Sequence, residues 1–368
     1  VSLEKFFCFF TLAFVASGLL GTHLQGKPTK NPEIKYLIIF VGDGQGINHL
    51  LATNQYSGQV PEYQTWDTYW VATYPFGGTY DSSQAWTNFS YVTQGPTDSA
   101  ASATALFTGE KTTNGRVSIS PDGSYRLFSI ADKARLSGKA IGVVTSVYIS
   151  HATPGAFLAH NNSRSNGYAI ADESLWGDPN TTGNPVVHPA YSGGNGTSLP
   201  ASEVLIGSGH PDFYGGVFIN TAMRDKLFTE SGLPGAFTFV ERVSGYQDGG
   251  QRLLDAANSP STLRLAGLFG GQDGNLEYCL ADGTGCDPEN PRLAEMTRAA
   301  LTVLSRDSDG FVLLIEGGAI DWAAHNNNMN QMIGEVLQFN QAIQSTIDWV
   351  DDSASPSTWQ NTLVIVTA

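Results

Sequence analysis

The sequence predicts an α/β protein, a three-layer α/β/α sandwich around a largely parallel central sheet, with a loop-rich inserted region. Three observations carry this. Four short apolar, β-branched runs, Tyr36–Val41, Ala140–Val147, Phe311–Ile315 and Leu363–Val366, read as buried strands. Helix-like stretches separate them. The clearest is Asn330–Val350, where Met332, Ile333, Val336, Leu337, Ile343, Ile347 and Val350 recur at helical spacing, a stripe that reads as core packing. Strands that alternate with helices pair in parallel and place helices on both faces of the sheet.

Length and charge narrow the field. The 368 residues suffice for one large α/β domain or two smaller ones, and the 41% apolar fraction is that of a globular protein. Only 14% of residues are charged and 41 are glycine, which favours long irregular loops. A formal net charge of −15 argues against nucleic acid or an anionic membrane as the main partner. A negative protein that handles a negative substrate needs local cations at its site. That points to metals.

Along the chain, residues 1–25 read as a secretory signal. Lys5 precedes the apolar run Phe6–Ala16, and small residues follow at Ser17, Gly18, Gly21 and Thr22. The run is short for a membrane span, so no stable span is expected after cleavage, and residues 26–368 form the mature chain. Its location is then secreted or periplasmic. In that oxidising setting Cys279 and Cys286, flanking a turn-rich loop, read as a small structural disulfide. Residues 177–200 are dominated by Gly, Asn, Pro, Ser and Thr and read as a surface loop. With Ala201–Gly310 they form a predicted insertion over about 177–310, a crown above the sheet.

The chemistry collects where the strands end, which is where open α/β sheets bind their ligands. After the first run comes Gly42-Asp43-Gly44-Gln45-Gly46. Its glycines let backbone pass close to a metal, and Asp43 offers a hard oxygen ligand, although a DGxG alone is also a plain turn. Thr97-Asp98-Ser99-Ala100-Ala101-Ser102-Ala103-Thr104-Ala105 sets a hydroxyl beside a carboxylate at a helix start. There Thr97 or Asp98 can cap, and unpaired N–H groups attract an anion. Alone, this run reads as a capped, alanine-rich core helix; its neighbours change that. After the second strand come His151, Thr153 and then Arg164, whose guanidinium can hold two phosphate oxygens at once. His151 and Arg164 taken singly read as an ordinary histidine and a solvated charge. After the third come Glu316-Gly317-Gly318-Ala319-Ile320-Asp321-Trp322-Ala323-Ala324-His325. Asp321 and His325, four apart, share a helix face and make a sensible zinc pair, with Glu316 placed for a harder cation.

Taken together these motifs, in order from Ile38 to Ala368, resemble the alkaline phosphatase family, and the Asp-Trp-Ala-Ala-His form is similar to its secreted bacterial branch. Val204-Leu205-Ile206-Gly207-Ser208-Gly209-His210-Pro211 also looks family-like. The resemblance implies hydrolysis of phosphate monoesters through a phosphoserine on Ser99, with two zinc ions and one magnesium ion. It implies that Asp43 bridges one zinc and the magnesium, that Glu316 and Thr153 bind magnesium with His151 beside them, and that Asp321 and His325 bind the other zinc. Arg164, steadied by Asp98, would clamp the phosphoryl oxygens. Some members carry Asp where this chain has His151, and many carry Met at Gln45. A homodimer is common in the family.

The fourth run leads into Thr367-Ala368, where the family continues with Asp-His and a later His that complete the zinc sites. The resemblance therefore implies that neither zinc site is whole within these 368 residues, and that this chain alone has little activity. Two other readings stand beside it: a phosphodiesterase or other hydrolase of the same superfamily, and an inactive metal- or phosphate-binding relic.

Overall fold

The computed structural model describes residues 34–177, 186–187, 202–271, 276 and 279–368; the predicted signal at 1–25 and nearly all of the loop at 177–200 lie outside them. Seven strands build the central sheet: β1 (Tyr36–Gly42), β2 (Ala140–Tyr148), β3 (Val204–Ser208), β4 (Thr238–Glu241), β5 (Leu265–Phe269), β6 (Phe311–Gly317) and β7 (Thr362–Thr367). Their order is β4-β5-β3-β2-β6-β1-β7, and every neighbouring pair is parallel. The four runs read from the sequence are four adjacent strands, β2-β6-β1-β7. Part of the region suggested as an insertion builds the sheet itself, because β3, β4 and β5 extend it on the β2 side. These strands are only four or five residues long, and glycine or polar residues interrupt their apolar pattern.

Alternation along the strands creates two cores. Tyr36, Ile38 and Phe40 of β1 face one layer, whereas Ile39 and Val41 face the other. Helices α1 (Ile47–Ser57), α2 (Ser99–Thr108), α3 (Ile130–Leu136), α4 (Ala152–Leu158), α5 (Gly167–Trp176), α6 (Gly249–Asn258), α7 (Leu293–Leu304), α8 (Ala319–His325) and α9 (Met329–Asp351) divide between those faces. Side chains of α2 to α5 fill the Ile39 layer, and those of α6 to α9 fill the Tyr36 layer. The result is the three-layer sandwich.

Local chemistry sets the helix bounds. Asp98 caps α2 by accepting the Ala101 N–H at 2.9 Å, and Gly109 ends it at φ 76°. Helix α9 starts at the Asn328 cap and buries Met332, Ile333, Val336, Ile343, Ile347 and Val350 of the predicted stripe, with Phe339 in addition, while Leu337 lies at its margin. Each such aliphatic side chain contributes about 1.5–3 kcal/mol of burial. Phe339 packs edge-on to Phe40, with ring centroids 5.8 Å apart, and lies against Gly317 at the end of β6. This ring therefore props up the strand end that carries Glu316. Cys279 and Cys286 form the expected disulfide. Gly334 of α9 lets the Cys279 carbonyl approach so closely that an added Cβ would stand 2.1 Å from its oxygen.

Candidate active site

In the sheet register Gly42 pairs with Gly317, and Thr145 pairs with Glu316, so the carboxyl ends of β1, β2 and β6 lie side by side. Asp43 leaves β1 at this edge with its N–H on the Gly317 carbonyl. Gly44 follows at φ 63°, a left-handed conformation that suits glycine. Its bare Cα also makes room for Asp321, because a Cβ there would come within 2.4 Å of Oδ1. Gly44→Ala should therefore push Asp321 aside and strain the turn, lowering metal affinity and turnover by about an order of magnitude or more. Metal titration of the folded variant checks this, and wild-type affinity would contradict it.

The Ser99 hydroxyl is the first side chain of α2, and its Oγ lies 3.1 Å from each Asp43 carboxylate oxygen. Asp98, one residue earlier, joins three segments. One of its oxygens caps α2, and the other accepts the Gly115 N–H at 3.0 Å and Arg164 Nη1 at 3.0 Å. Arg164 Nη2 reaches His151 Nε2 at 3.2 Å. Hydroxyl, carboxylate and guanidinium thus meet at one helix N-terminus.

Beside them lies a carboxylate-rich pocket. Asp43, His151 and Glu316 place potential ligand atoms within 4.8 Å of one another. Glu316 is fully buried; it accepts hydrogen bonds from Thr145 and Thr153, and its Oε1 has no hydrogen-bond partner. Burial first, then the nearby Asp43 charge, pushes the Glu316 carboxyl up to about 8. Burial, then Asp321, raises Asp43 to about 6 against the lowering pull of Ser99 and Arg164. Asp321 is raised as well, chiefly by burial. Burial and the adjacent Arg164 drive His151 down to about 3, so its ring is neutral and able to act as a ligand. Its Nδ1 is shielded and has no hydrogen-bond partner. Three carboxylates crowded together, an orphaned carboxylate oxygen and a neutral imidazole fit a divalent cation by the chemistry of their donors.

Asp321 and His325 approach to 3.4 Å on one face of α8, as the spacing predicted. The His325 side chain is 78% exposed, so this pair forms an open half-site at the rim. Every site residue read from the sequence lies in this one region. Sequence reasoning missed the supports. Thr145 sits inside an apolar strand, where a lone hydroxyl opposite Glu316 was the available signal. Asn114 receives the Asp98 N–H at 3.1 Å, and Tyr148 and Trp322 lay their rings about His151.

A family model described as alkaline phosphatase matches residues 34–368. Alkaline phosphatase 3 of Bacillus subtilis (strain 168) is 30% identical over 351 residues, covering 94% of this chain and 62% of that protein. Streptomycin-6-phosphate phosphatase of Streptomyces griseus is 30% identical over 362 residues, covering 90% and 72%. The structure of a cold-active alkaline phosphatase from Shewanella sp. matches with a TM-score of 0.60 at 26% identity, covering 90% of this chain and 67% of the other. A mutant alkaline phosphatase of the Antarctic bacterium TAB5, with Mg bound in the M3 site, shares the fold at TM-score 0.63 and 23% identity, covering 92% and 78%. The chain belongs to the alkaline phosphatase family. It spans 62% and 63% of the length of two Bacillus subtilis relatives.

Proposed function

We propose that the protein is a metal-dependent phosphomonoesterase that transfers the phosphoryl group to Ser99 and then to water. The observation that carries this reading is the Ser99 Oγ at the start of α2, 3.1 Å from Asp43, with Arg164 tethered alongside by Asp98. Asp43 holds the hydroxyl proton and leaves a lone pair on Oγ facing outward. That oxygen attacks phosphorus as its proton passes to Asp43, the bond from phosphorus to the ester oxygen breaks, and the alcohol leaves with that proton, relayed from Asp43. Water then cleaves the phosphoserine bond, releasing inorganic phosphate and restoring the hydroxyl. Arg164 keeps Nη1 on Asp98 throughout. Its Nη2 contact to the neutral His151 is the weaker one, so a dianionic phosphoryl group displaces it.

Asp43, His151, Thr153 and Glu316 would hold a magnesium ion, Asp43 would also serve one zinc, and Asp321 with His325 would contribute to the other. Bound there, such ions supply positive charge to the attacking and leaving oxygens. The name of the Streptomyces relative specifies a phosphate monoester, which supports that substrate class. The disulfide and the apolar N-terminal run support a secreted or periplasmic protein, and no helix among the described residues is long and apolar enough to cross a membrane.

The test is hydrolysis of p-nitrophenyl phosphate at alkaline pH by the full-length protein, with and without chelator. Turnover that chelation stops and zinc with magnesium restores is the expected result. Turnover confined to a diester substrate favours the diesterase reading, and none from folded, metal-loaded protein favours the relic.

A further inference from the structure

We propose that His160 is the positioning residue for Arg164, a buried anchor that fixes the loop carrying the guanidinium. The inference rests on the reading of Arg164 as the group that binds the phosphoryl oxygens.

His160 is 3% exposed and lies away from the site chemistry, where α3, α5 and the start of the loop meet. Its Nδ1 is 2.9 Å from Glu173 Oε1, and its Nε2 is 3.0 Å from the Leu127 carbonyl and 3.6 Å from Asp132 Oδ2. Its backbone N–H goes to the second Glu173 oxygen at 3.1 Å. Both carboxylates are buried, and the Arg126 guanidinium lies near enough to feel their charge. Burial alone would drive the imidazole down, but Asp132 and Glu173 outweigh it and hold the ring charged, up to about 10. Both ring nitrogens then carry protons that are already donated. Such a histidine has no lone pair for a metal or for proton transfer. It can only hold something in place.

What it holds is the segment leading to Arg164. Asn161 exchanges backbone hydrogen bonds with Val117 at 2.8 and 2.9 Å, and the Asn162 side chain accepts from Arg116 at 2.7 Å. The Arg164 N–H donates to the Gly115 carbonyl at 2.7 Å. The loop therefore lies along residues 115–117, whose Gly115 N–H is held by the same Asp98 that holds the guanidinium. His160 is the charged, desolvated end of this strip, and charge-assisted bonds in such surroundings are the strong ones. The Arg164 side chain is 29% exposed, and its guanidinium is held at one end by Asp98 and His151. A fixed loop base restrains the backbone from which that side chain extends.

A double-mutant cycle tests this on full-length, metal-loaded protein. His160→Gln keeps a donor for Glu173 but removes the charge. It should lower kcat/KM for p-nitrophenyl phosphate about tenfold and weaken inhibition by inorganic phosphate to a similar degree. In an Arg164→Ala background the same change should alter kcat/KM less than twofold. Equal losses in both backgrounds would overturn the inference and leave the proposed activity standing. If Arg164→Ala alone kept wild-type kcat/KM, the reading beneath the inference would fall with it. Circular dichroism checks folding, and should His160→Gln fail to fold, Glu173→Gln carries the same cycle with the same two outcomes.

Discussion

Ser99→Ala is expected to reduce turnover of p-nitrophenyl phosphate at least about a thousandfold while the fold and metal binding survive. The structure separates these effects. The hydroxyl meets the Asp43 carboxylate, whereas the cap of α2 comes from Asp98. Alanine is the strongest helix former, so the helix keeps its start. Asp43 loses its hydrogen bond from Ser99, but the carboxylates and imidazole of the candidate cation pocket all remain. Circular dichroism and a chelator-competition titration establish that the variant is folded and loaded. Turnover close to wild type in such a preparation would remove Ser99 from the reaction.

The second large effect concerns metal removal. Stripped of metal, the protein should lose thermal stability as pH rises from about 5 to about 8.5. The sign follows from proton binding. Glu316 rises in the folded state from an ordinary 4.5 to about 8, and Asp43 from 3.8 to about 6. The native state then binds protons more tightly than the unfolded chain does. The corresponding stabilisation is complete below the unfolded values and is lost as pH climbs through the folded ones. For a carboxyl as buried as Glu316 the loss is on the order of a few kcal/mol. A bound cation offsets the carboxylate charge, so the gap in melting temperature between loaded and stripped protein should be small at pH 5 and large at pH 8.5. His160 loses its own contribution as pH approaches about 10, but in both forms alike, so the gap isolates the site. A gap that is constant across this range would show that no cation answers these carboxylates.

Much of this was readable because chemistry and strand ends coincide in the chain. Tyr36–Val41 and Phe311–Ile315 are apolar runs that stop at glycines and acids, and the structure places those acids at one edge of the sheet. Strands β3 and β5 were not read as strands, since Gly207 and Gly267 thin runs too short to show a period. The candidate ligands were legible because Asp43, His151 and Glu316 lie in or just past a strand end, while Asp321 and His325 share the helix that follows β6. The supports were not. Thr145 differs from its strand neighbours by one hydroxyl, and His160, Asp132 and Glu173 are brought together only by the packing of α3 and α5. Local patterns reveal groups that act where they stand, and tertiary structure alone reveals those that act through others.

The order of the strands has a consequence for the newborn chain. Strand β6 lies between β1 and β2 in the sheet, yet it is synthesised long after both. Asp43 and His151 are made well before the strand that brings Glu316 between them. Glu316 arrives only when β6 inserts. Whatever the order in which the other strands pair, Asp43, His151 and Glu316 come within reach of one another only once β6 lies between β1 and β2.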